Sequence, residues 1–415
     1  MFLKRVCLAA IFLFGGVSGA SAQTPLTWEE VLSRFKRNNP NLLAGQFSIR
    51  ENQANEVTAN LRPNPTWSSS NDQINPFTTS PWRPFGAIQF SQSFGYLVER
   101  RNKRELRTES ARLTTQISRT DQEDLERQLG FSLRDAFIKV LQGKSVVELA
   151  KENLDYYDKV IAVNRERMKA GDIARVDLSR VELQRVQFES DLVNARVNLR
   201  TAKIALLALV NDRTPVDQFD VTGQYDDRVI LPQLDELRAQ SLALRPDLQS
   251  AVTAIDRAKN DNKLAWANGS TDPTLAADYT RVGPFNTIGL GFSIPLRVFD
   301  RNQGEKERTR LEIERSQSMR TSIEVSIYRD VDSAYATVES ARALLQPYRE
   351  RYLKQAEDVR DTVSFSYGRG AASLLEFLDA QKAYRDTQLN YRNLIAGFLS
   401  AVNQLNLAVG KDVTK

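Results

Sequence analysis

Two carboxylates near the C-terminus, Glu376 and Asp379, have the spacing of groups that could act together. Residues three positions apart lie on the same face of a helix, and both fall within a long helical pattern. Ser373 precedes Glu376 by three positions, which fits a capping box in which the glutamate reaches back to the backbone amide of the cap. Asp379 has no such capping role, so it is either a solvated surface acid or a functional one.

The remaining residue types exclude most enzymatic and metal chemistry. The chain has no histidine, its only cysteine is Cys7, and Met168 and Met319 are isolated. A soft-metal site of imidazole, thiolate or clustered thioether ligands cannot be built from these residues, and neither can a Ser-His-Asp or Cys-His catalytic arrangement. No glycine-rich phosphate loop opens a strand–helix unit. An exported hydrolase is therefore disfavoured, and we expect no catalytic residue, no resident metal and no cofactor.

The N-terminal residues indicate export. Lys4 and Arg5 precede an apolar run, and the small-residue stretch "ASA" follows it. Residues 1–22 are therefore predicted to be a secretory signal peptide, with an uncleaved N-terminal anchor as the alternative. Loss of the signal removes Cys7 and lowers the formal net charge from +5 to +3.

The composition suits long solvated helices. Hydrophobic residues make up 41% of the chain and charged residues 26%, a balance that does not favour a thick globular core. Basic residues are scattered among nearly as many acids, whereas a nucleic-acid-binding protein needs a basic face. We therefore expect no nucleic-acid partner.

The chain contains one block of sequence twice. A shift of 199 positions superimposes 167–210 on 366–409 without a gap and places Gly171 on Gly370. Shorter matches pair "NNPNL" with "LRPDL", "NPTW" with "DPTL" and "RRNKR" with "DRNQG". Units of this length indicate the duplication of one supersecondary block. The predicted organisation is a signal peptide at 1–22, a first repeat at 23–211, a polar linker at 212–230 and a second repeat at 231–415.

Each block contains two short segments with the periodicity of strands. Apolar residues alternate with small or polar ones in 88–94 and in 288–294. Their partners are predicted at about 66–74 and 274–282, and "GPFN" at 283–286 suits a tight hairpin. This pattern fits either the edge of a soluble sheet or lipid-facing strands of a shared barrel.

Heptads dominate the rest of each block. Apolar residues step by alternating three and four positions through 133–168, resume after Gly171 through 178–209, and recur through 377–408. Sustained heptads predict supercoiled helices. The helix after Gly171 also carries a second apolar seam, which indicates a neighbour on each of two sides. The residues of this second seam are Leu183, Val186, Val193, Val197, Ile204 and Leu207.

Two of the predicted helices are very long. A continuous helix over about 100–169 would measure about 100 Å. In its counterpart over about 304–367, Pro347 predicts a local irregularity because proline removes one helix hydrogen bond. Gly171 and Gly370 follow these helices and would allow a positive φ at the turn.

Together, these features resemble the TolC-type outer-membrane efflux proteins. The most specific parts are the two helix turns, "AGDIARVDL" and "GRGAASLLEFLDAQ". The strand exit "SIPLRVFDRNQGE" is similar to that of CzcC-like heavy-metal efflux ducts. The resemblance covers essentially the whole mature chain and implies a mainly α fold with a small β part. In that fold, duplicated helix–β-hairpin–helix repeats contribute long coiled-coil helices to a periplasmic α-barrel, and four strands per chain join a trimeric 12-stranded outer-membrane β-barrel.

The resemblance also implies roles for residues at the helix turns. Glu376 and Asp379 match family positions that line a pore constriction, where a trimer would bring six carboxylates together. Asp177 and Tyr367 match positions that help to hold the tip closed. Docking of a periplasmic adaptor is implied at the turn residues Gly171, Asp172, Gly370 and Ala371.

One position departs from the family pattern. The basic residue expected in the gate falls on Ala372, and the nearest arginine is Arg369. The locking network of the family is therefore not expected to be complete in this chain, whereas the acid pair is kept.

The function implied is a passive exit duct of a tripartite efflux system in the outer membrane, with a long periplasmic extension. The duct would conduct small molecules or metal ions to the exterior, and selectivity would reside in the pump because the chain offers no soft metal ligands. Expected partners are two further copies in a homotrimer, a periplasmic adaptor (membrane fusion) protein, an inner-membrane pump, with the RND class as candidate, and outer-membrane lipid. The alternative is a soluble periplasmic coiled-coil scaffold or adaptor, which explains the signal and the heptads but not two matched hairpins of amphipathic strands.

Overall fold

A computed structural model describes residues 24–413 except 75, 78–80, 82–83, 86–87 and 227. The predicted signal peptide at 1–22 lies outside the described residues. The elements in chain order are α1 (Trp28–Asn38), α2 (Pro40–Asn60), β1 (Thr66–Asp72), β2 (Gln89–Leu97), α3 (Lys103–Ala170), α4 (Arg175–Val210), a 3-10 turn (Val216–Gln218), α5 (Leu234–Leu244), α6 (Pro246–Asn268), β3 (Thr274–Val282), β4 (Phe285–Ser293), α7 (Gln303–Pro347), a π-helical turn (Tyr348–Tyr352), α8 (Leu353–Gly368) and α9 (Leu374–Val409).

The short helices at the start of each half meet at a proline. Asn39 accepts hydrogen bonds from the amides of Asn41 and Leu42 at 3.0 and 3.2 Å, and Pro40 occupies the first position of α2. Pro246 occupies the first position of α6. Proline suits this position because its fixed φ is helical and no amide is needed there. The matched segments "NNPNL" and "LRPDL" therefore mark the same helix boundary.

The four strands form one antiparallel sheet in the order β1–β2–β3–β4. Because β2 pairs with β3, with Gln89 opposite Val282, the sheet joins the hairpins of the two halves. Gly283, with φ 58°, and Pro284 form the tight turn that the sequence predicted. A two-residue turn lets pairing start at once, so β4 begins at Phe285, three positions before the predicted alternation.

The long helices leave the sheet in the same way in both halves. Asn102 before α3 and Asn302 before α7 have φ of 55° and 60°, a region that asparagine tolerates better than most residues. Both lie within the matched segments "RRNKR" and "DRNQG". Lys103 Nζ lies 2.6 Å from a carboxylate oxygen of Asp272, which ties the start of α3 to the segment between α6 and β3.

The repeated sequence builds the same turn and the same returning helix twice. α3 has 68 residues and is therefore about 100 Å long. Gly171 and Gly370 have φ of 84° and 76° at the two turns. The returning helices α4 and α9 both have 36 residues, and their first residues are 199 positions apart.

The predicted heptad positions form the contacts between these helices. Leu133, Val140 and Tyr157 of α3 are fully buried, as are Val181 of α4 and Leu405 of α9. α3 packs against both α4 and α9, and α9 also packs against α7 and α8. α4 and α8 therefore lie at the two edges of the helical layer.

The second long helix is interrupted where Pro347 predicted an irregularity. α7 ends at Pro347 and a π-helical turn separates it from α8. Proline lacks an amide hydrogen and its ring crowds the carbonyl four residues earlier, so a wider turn accommodates it. The rings of Tyr348 and Tyr352 meet edge to face across this turn, with centroids 5.4 Å apart. α3 continues unbroken through Glu148, the position that the 199-residue shift matches to Pro347.

Part of the segment between the halves packs against the first long hairpin. Phe219 and Val221 are buried. Asp220 lies 2.7 Å from Nζ of Lys144 on α3 and 3.1 Å from Nζ of Lys203 on α4. Although burial opposes ionisation, the hydrogen bonds from these two lysines lower the pKa of the Asp220 carboxyl.

Candidate functional site

The turns that end the two long hairpins are exposed, and backbone amides in them are hydrogen-bonded. Gly171, Asp172, Gly370 and Ala371 are all exposed. The amides of Asp172 and Ala371 each donate a 2.9 Å hydrogen bond to a carbonyl five residues earlier, which closes the ends of α3 and α8. Because both glycines have positive φ, a side chain at either position would strain the turn.

The predicted capping box at the start of α9 is present. A carboxylate oxygen of Glu376 accepts hydrogen bonds from the backbone amide of Ser373 at 2.7 Å and from its hydroxyl at 2.8 Å. In return, the amide of Glu376 donates to the Ser373 hydroxyl at 3.2 Å. The bonds from the amide and the hydroxyl lower the pKa of the Glu376 carboxyl. Both Glu376 and Asp379 are exposed, so capping leaves both acids at the surface of the tip.

Tyr367 is the centre of a contact between the two hairpins. Its ring stacks on Phe377 with centroids 4.7 Å apart, and its hydroxyl donates a 2.8 Å hydrogen bond to Oδ1 of Asn164 on α3. An amino group of Arg167 on α3 donates to the Tyr367 carbonyl oxygen at 3.1 Å, and its guanidinium carbon lies 5.0 Å from the ring centroid. Burial raises the pKa of the Tyr367 hydroxyl, the nearby Asp177 carboxylate adds to that rise, and Arg167 opposes it.

The sequence did not indicate the partners of Tyr367. Asp177 lies 3.8 Å from Arg180, while the hydrogen-bond partner of Tyr367 is Asn164. Ala372 is half-buried where a basic residue was expected, and the cation that contacts the Tyr367 ring is Arg167 on the other hairpin. Asn164 could have been singled out because it is a polar residue in an otherwise apolar heptad seam, a feature that often fixes register.

A second polar contact joins the hairpins one layer above the tip. The side-chain amide of Gln381 on α9 is buried and donates to the hydroxyls of Tyr156 at 3.3 Å and Ser364 at 3.1 Å. The guanidinium of Arg360 on α8 lies 5.6 Å from the ring centroid of Tyr156 on α3. Polar and aromatic side chains therefore join the ends of the two hairpins, together with Leu374 and Leu378 of α9, which pack against the core of the first hairpin.

The sheet has one apolar face and one polar face. Residues paired across antiparallel strands share a face and successive residues alternate, so the register assigns every strand residue to a face. Face A carries Trp67, Ser69, Asn71, Phe90, Gln92, Phe94, Tyr96, Leu275, Ala277, Tyr279, Arg281, Asn286, Ile288, Leu290 and Phe292. Face B carries Thr66, Ser68, Ser70, Asp72, Gln89, Ser91, Ser93, Gly95, Leu97, Thr274, Ala276, Asp278, Thr280, Val282, Phe285, Thr287, Gly289, Gly291 and Ser293. Apart from half-buried Tyr96, the large apolar side chains of face A are exposed in the single chain, with Leu290 at 89%, whereas face B is mostly small and polar.

The two edges of the helical layer expose apolar side chains. On α4, five of the six residues of the predicted second seam are exposed in the single chain, and Leu207 is instead buried in the core of the first half. On the opposite edge, Val325 and Leu344 of α7 and Val359 and Phe365 of α8 are exposed. The described part of the chain leaves these rows uncovered.

Neither a metal site nor a membrane-spanning helix is found in the part of the chain that the structure describes. No group of three or more acidic side chains within the described ranges could hold a metal ion. No described helix combines the length and the apolar character needed to cross a membrane.

Comparison with known proteins points to one family. Residues 237–411 match the sequence profile of the family described as "Outer membrane efflux protein". The cobalt-zinc-cadmium resistance protein CzcC of Cupriavidus metallidurans is 23% identical over 400 residues, covering 94% of this chain and 91% of that protein. The pyoverdine export outer membrane protein OpmQ of Pseudomonas aeruginosa is 22% identical over 376 residues, covering 85% of this chain and 78% of that protein.

Solved structures with the same fold cover nearly the whole chain. CusC superposes with a TM-score of 0.78 at 17% identity, over 92% of both chains. The outer membrane channel MtrE of Neisseria gonorrhoeae, in its open state, superposes with a TM-score of 0.75 at 16% identity, over 100% of this chain and 98% of that one. At these identities the likeness establishes the fold, with its long helical hairpins and small sheet.

Proposed function

We propose that three copies of this chain, which resembles outer membrane efflux proteins over nearly its whole length, assemble into one exit duct that receives its cargo from an adaptor and a pump. The resemblance inferred from the sequence, including the CzcC-like branch, is confirmed by the family match and the relatives. The chain is an outer-membrane efflux channel protein with a periplasmic helical extension. Its family consists of channels rather than enzymes.

The open edges of the sheet support the trimer. In a single chain, β1 and β4 lie at the two edges, and edge backbone groups facing lipid would lack hydrogen-bond partners. Pairing of β4 with β1 of the next copy would satisfy both edges, and three copies of the four-stranded sheet would close a twelve-stranded barrel. Face A would then meet lipid and face B would line the lumen.

The exposed rows on the helical layer support the same arrangement. The seam on α4 and the row on α7 and α8 lie on opposite edges of one chain. If the α4 edge of one copy packed on the α7–α8 edge of the next, the contact would be head to tail, and such contacts generate closed rings when the rotation closes. The helices would then form the periplasmic α-barrel of the duct.

The turns of the hairpins would form the periplasmic entrance. Six hairpins from three copies would bring Glu376 and Asp379 around a constriction, and the contact of Tyr367 with the first hairpin would help to hold it closed. Asp177 would act there through its charge near Tyr367. The exposed turns at Gly171, Asp172, Gly370 and Ala371 would receive the adaptor.

The proposed cargo is small molecules or metal ions. One relative is described as a cobalt-zinc-cadmium resistance protein and another as a pyoverdine export protein, so the names of the relatives support both kinds of cargo. We propose that an inner-membrane pump, with the RND class as candidate, selects the cargo. A soluble periplasmic scaffold is the other candidate function, but the exposed apolar face A of the sheet does not favour it.

The observation that carries the proposal is the two-faced, open-edged sheet joined to a helix about 100 Å long. Native mass of the detergent-solubilised protein tests it, and we expect a trimer.

Val193→Glu combined with Val197→Glu should place charges in the exposed α4 seam and yield monomers. Asn194→Glu adds a charge at an exposed polar position of the same helix and should leave the trimer intact. A wild-type monomer, or release of the protein from membranes by carbonate, would overturn the duct and favour the scaffold.

A further inference from the structure

We propose that Asp278 makes the lumen of the strand barrel selective for cations. The proposal rests on the trimeric duct described above and adds a point of ion selection at the opposite end of the molecule from the helix turns. It concerns the concentration of mobile ions in the lumen and requires no bound ion.

The strand register places charges of opposite sign on opposite faces. Among the residues of β1 to β4, the charged residues of face B are Asp72 and Asp278, and both are acidic. The charged residue of face A is Arg281, near the β3–β4 turn. Asp278 lies in the middle of β3, whereas Asp72 is the last residue of β1. Polar face B therefore carries negative charge in its middle with no basic residue on the same face of the strands.

The surroundings of Asp278 leave its carboxylate open to the lumen. Its partners across the sheet are Ser93 and Gly289. A Cβ atom added at Gly289 or Gly291 would lie 3.7 or 3.8 Å from Oδ2 of Asp278, which is van der Waals contact, so the carboxylate lies beside these two glycines of β4. Asp278 is half-buried, and within the described part of the chain no cation lies in ion-pair or hydrogen-bond contact with it. Its charge is therefore not neutralised by a neighbour.

In a threefold-symmetric trimer, the three copies of Asp278 would form a ring around the lumen. Twelve strands about 4.8 Å apart and tilted by about 40° enclose a barrel with a backbone radius of roughly 12 Å. The Debye length is about 30 Å at 0.01 M ionic strength and about 3 Å at 1 M. At low salt the whole cross-section therefore lies within the field of the three carboxylates, which would enrich cations and exclude anions. At high salt the field would not reach the axis.

Cysteine substitution tests whether Asp278 faces the lumen. The native chain has Cys7 as its only cysteine, within the predicted signal peptide, so an introduced thiol gives a clean signal. Asp278→Cys in outer-membrane vesicles should react with a membrane-impermeant thiol reagent. Ala277→Cys, the neighbouring position on face A, should be protected by lipid. Reaction at 277 and protection at 278 would overturn the face assignment.

Ion selectivity in planar bilayers tests the function of the ring. The measurement uses a background with Glu376→Gln and Asp379→Asn, which removes the two acids of the proposed constriction. Without this change, the constriction in series with the strand barrel would dominate the ion selectivity. Asp278→Asn, which keeps the shape of the side chain, should lower the cation-to-anion permeability ratio about twofold or more at about 0.01 M salt and have no effect at about 1 M. Arg281→Gln removes one charge per chain from face A and should leave the ratio unchanged.

The outcomes separate this proposal from the duct itself. A permeability ratio that Asp278→Asn leaves unchanged at low salt, in channels that still conduct as trimers, would overturn the role of Asp278 alone. A native mass that shows no trimer, together with no conductance, would overturn the duct and this inference with it.

Discussion

The hydroxyl of Tyr367 at the end of α8 donates a 2.8 Å hydrogen bond to Oδ1 of Asn164 in α3, 203 positions earlier in the chain. Both residues are buried, at 8% and 2% exposure. Arg167, one helical turn after Asn164, contacts the ring and the carbonyl oxygen of the same tyrosine. One residue of the second hairpin is thus held by two residues of the first next to the turns, and the two hairpin ends cannot separate without breaking these contacts.

Removal of the Tyr367 hydroxyl should loosen the tip. Tyr367→Phe keeps the stacking on Phe377 but leaves the buried Asn164 oxygen without its donor, which costs about 1–2 kcal/mol. If the closed state depends on this contact, the open fraction of single channels should rise. Tyr328→Phe, on an exposed part of α7, is the control and should change neither the open fraction nor the thermal stability. A Tyr367→Phe channel that opens as rarely as the wild type would show that the contact is structural only.

The features that could be predicted from the sequence are those fixed by neighbours along the chain. The capping box of Ser373 and Glu376 spans three positions, and the glycine turns and heptads repeat at a constant shift. The break at Pro347 follows from the chemistry of one residue. In each case the determining contacts lie within one or two helical turns.

The features that could not be predicted depend on contacts across the two halves. Asn164 looks like any polar interruption of a heptad seam, and Arg167 lies among other charged residues at a helix end, so neither indicates that Tyr367 is its partner. The face of the sheet on which Asp278 lies follows from the register, which the sequence of β3 alone does not set. Leu207 fits the second seam by spacing, yet it is buried in the core of the first half.

The capping serine should set the pH at which the entrance loses its selectivity. The amide and hydroxyl of Ser373 hold the pKa of Glu376 below its ordinary value, so this acid stays ionised as the pH falls. Ser373→Ala removes the hydroxyl donor, which raises the pKa of Glu376 and makes it protonate at a higher pH. If Glu376 lines the constriction, cation selectivity should therefore be lost at a higher pH than in the wild type, as measured by the permeability ratio across a pH series.

Two further variants distinguish the effect of the charges of Glu376 and Asp379 from the effect of a weaker start of α9. Ser373→Thr keeps the hydroxyl and should retain the wild-type pH profile, whereas Ser373→Ala also weakens the start of α9 by about 1 kcal/mol, which thermal unfolding would report. Asp379→Ala should reduce cation selectivity at neutral pH without changing the helix start. Unchanged selectivity after Glu376→Ala and Asp379→Ala together would mean that both acids only face solvent.

The π-helical turn after Pro347 should make the second hairpin more compliant than the first. The first long hairpin has an unbroken α3, whereas the second contains a break about 20 residues before its turn. Pro347→Ala restores an amide and removes the ring clash, so α7 and α8 should join into one helix and the second hairpin should stiffen. Spin labels at positions 172 and 371, next to the two turns, should then report a narrower distance distribution.

The matched residue in the first half provides the converse test. Glu148→Pro places the same irregularity in α3, where it should cost about 3 kcal/mol because the rest of that helix has no wider turn to accept it. The same labels should then report a broader distribution, provided that thermal unfolding shows the variant to be folded. If Pro347→Ala leaves the distribution as broad as in the wild type, the motion of the tip originates in the turns themselves, and the break in the second long helix does not govern it.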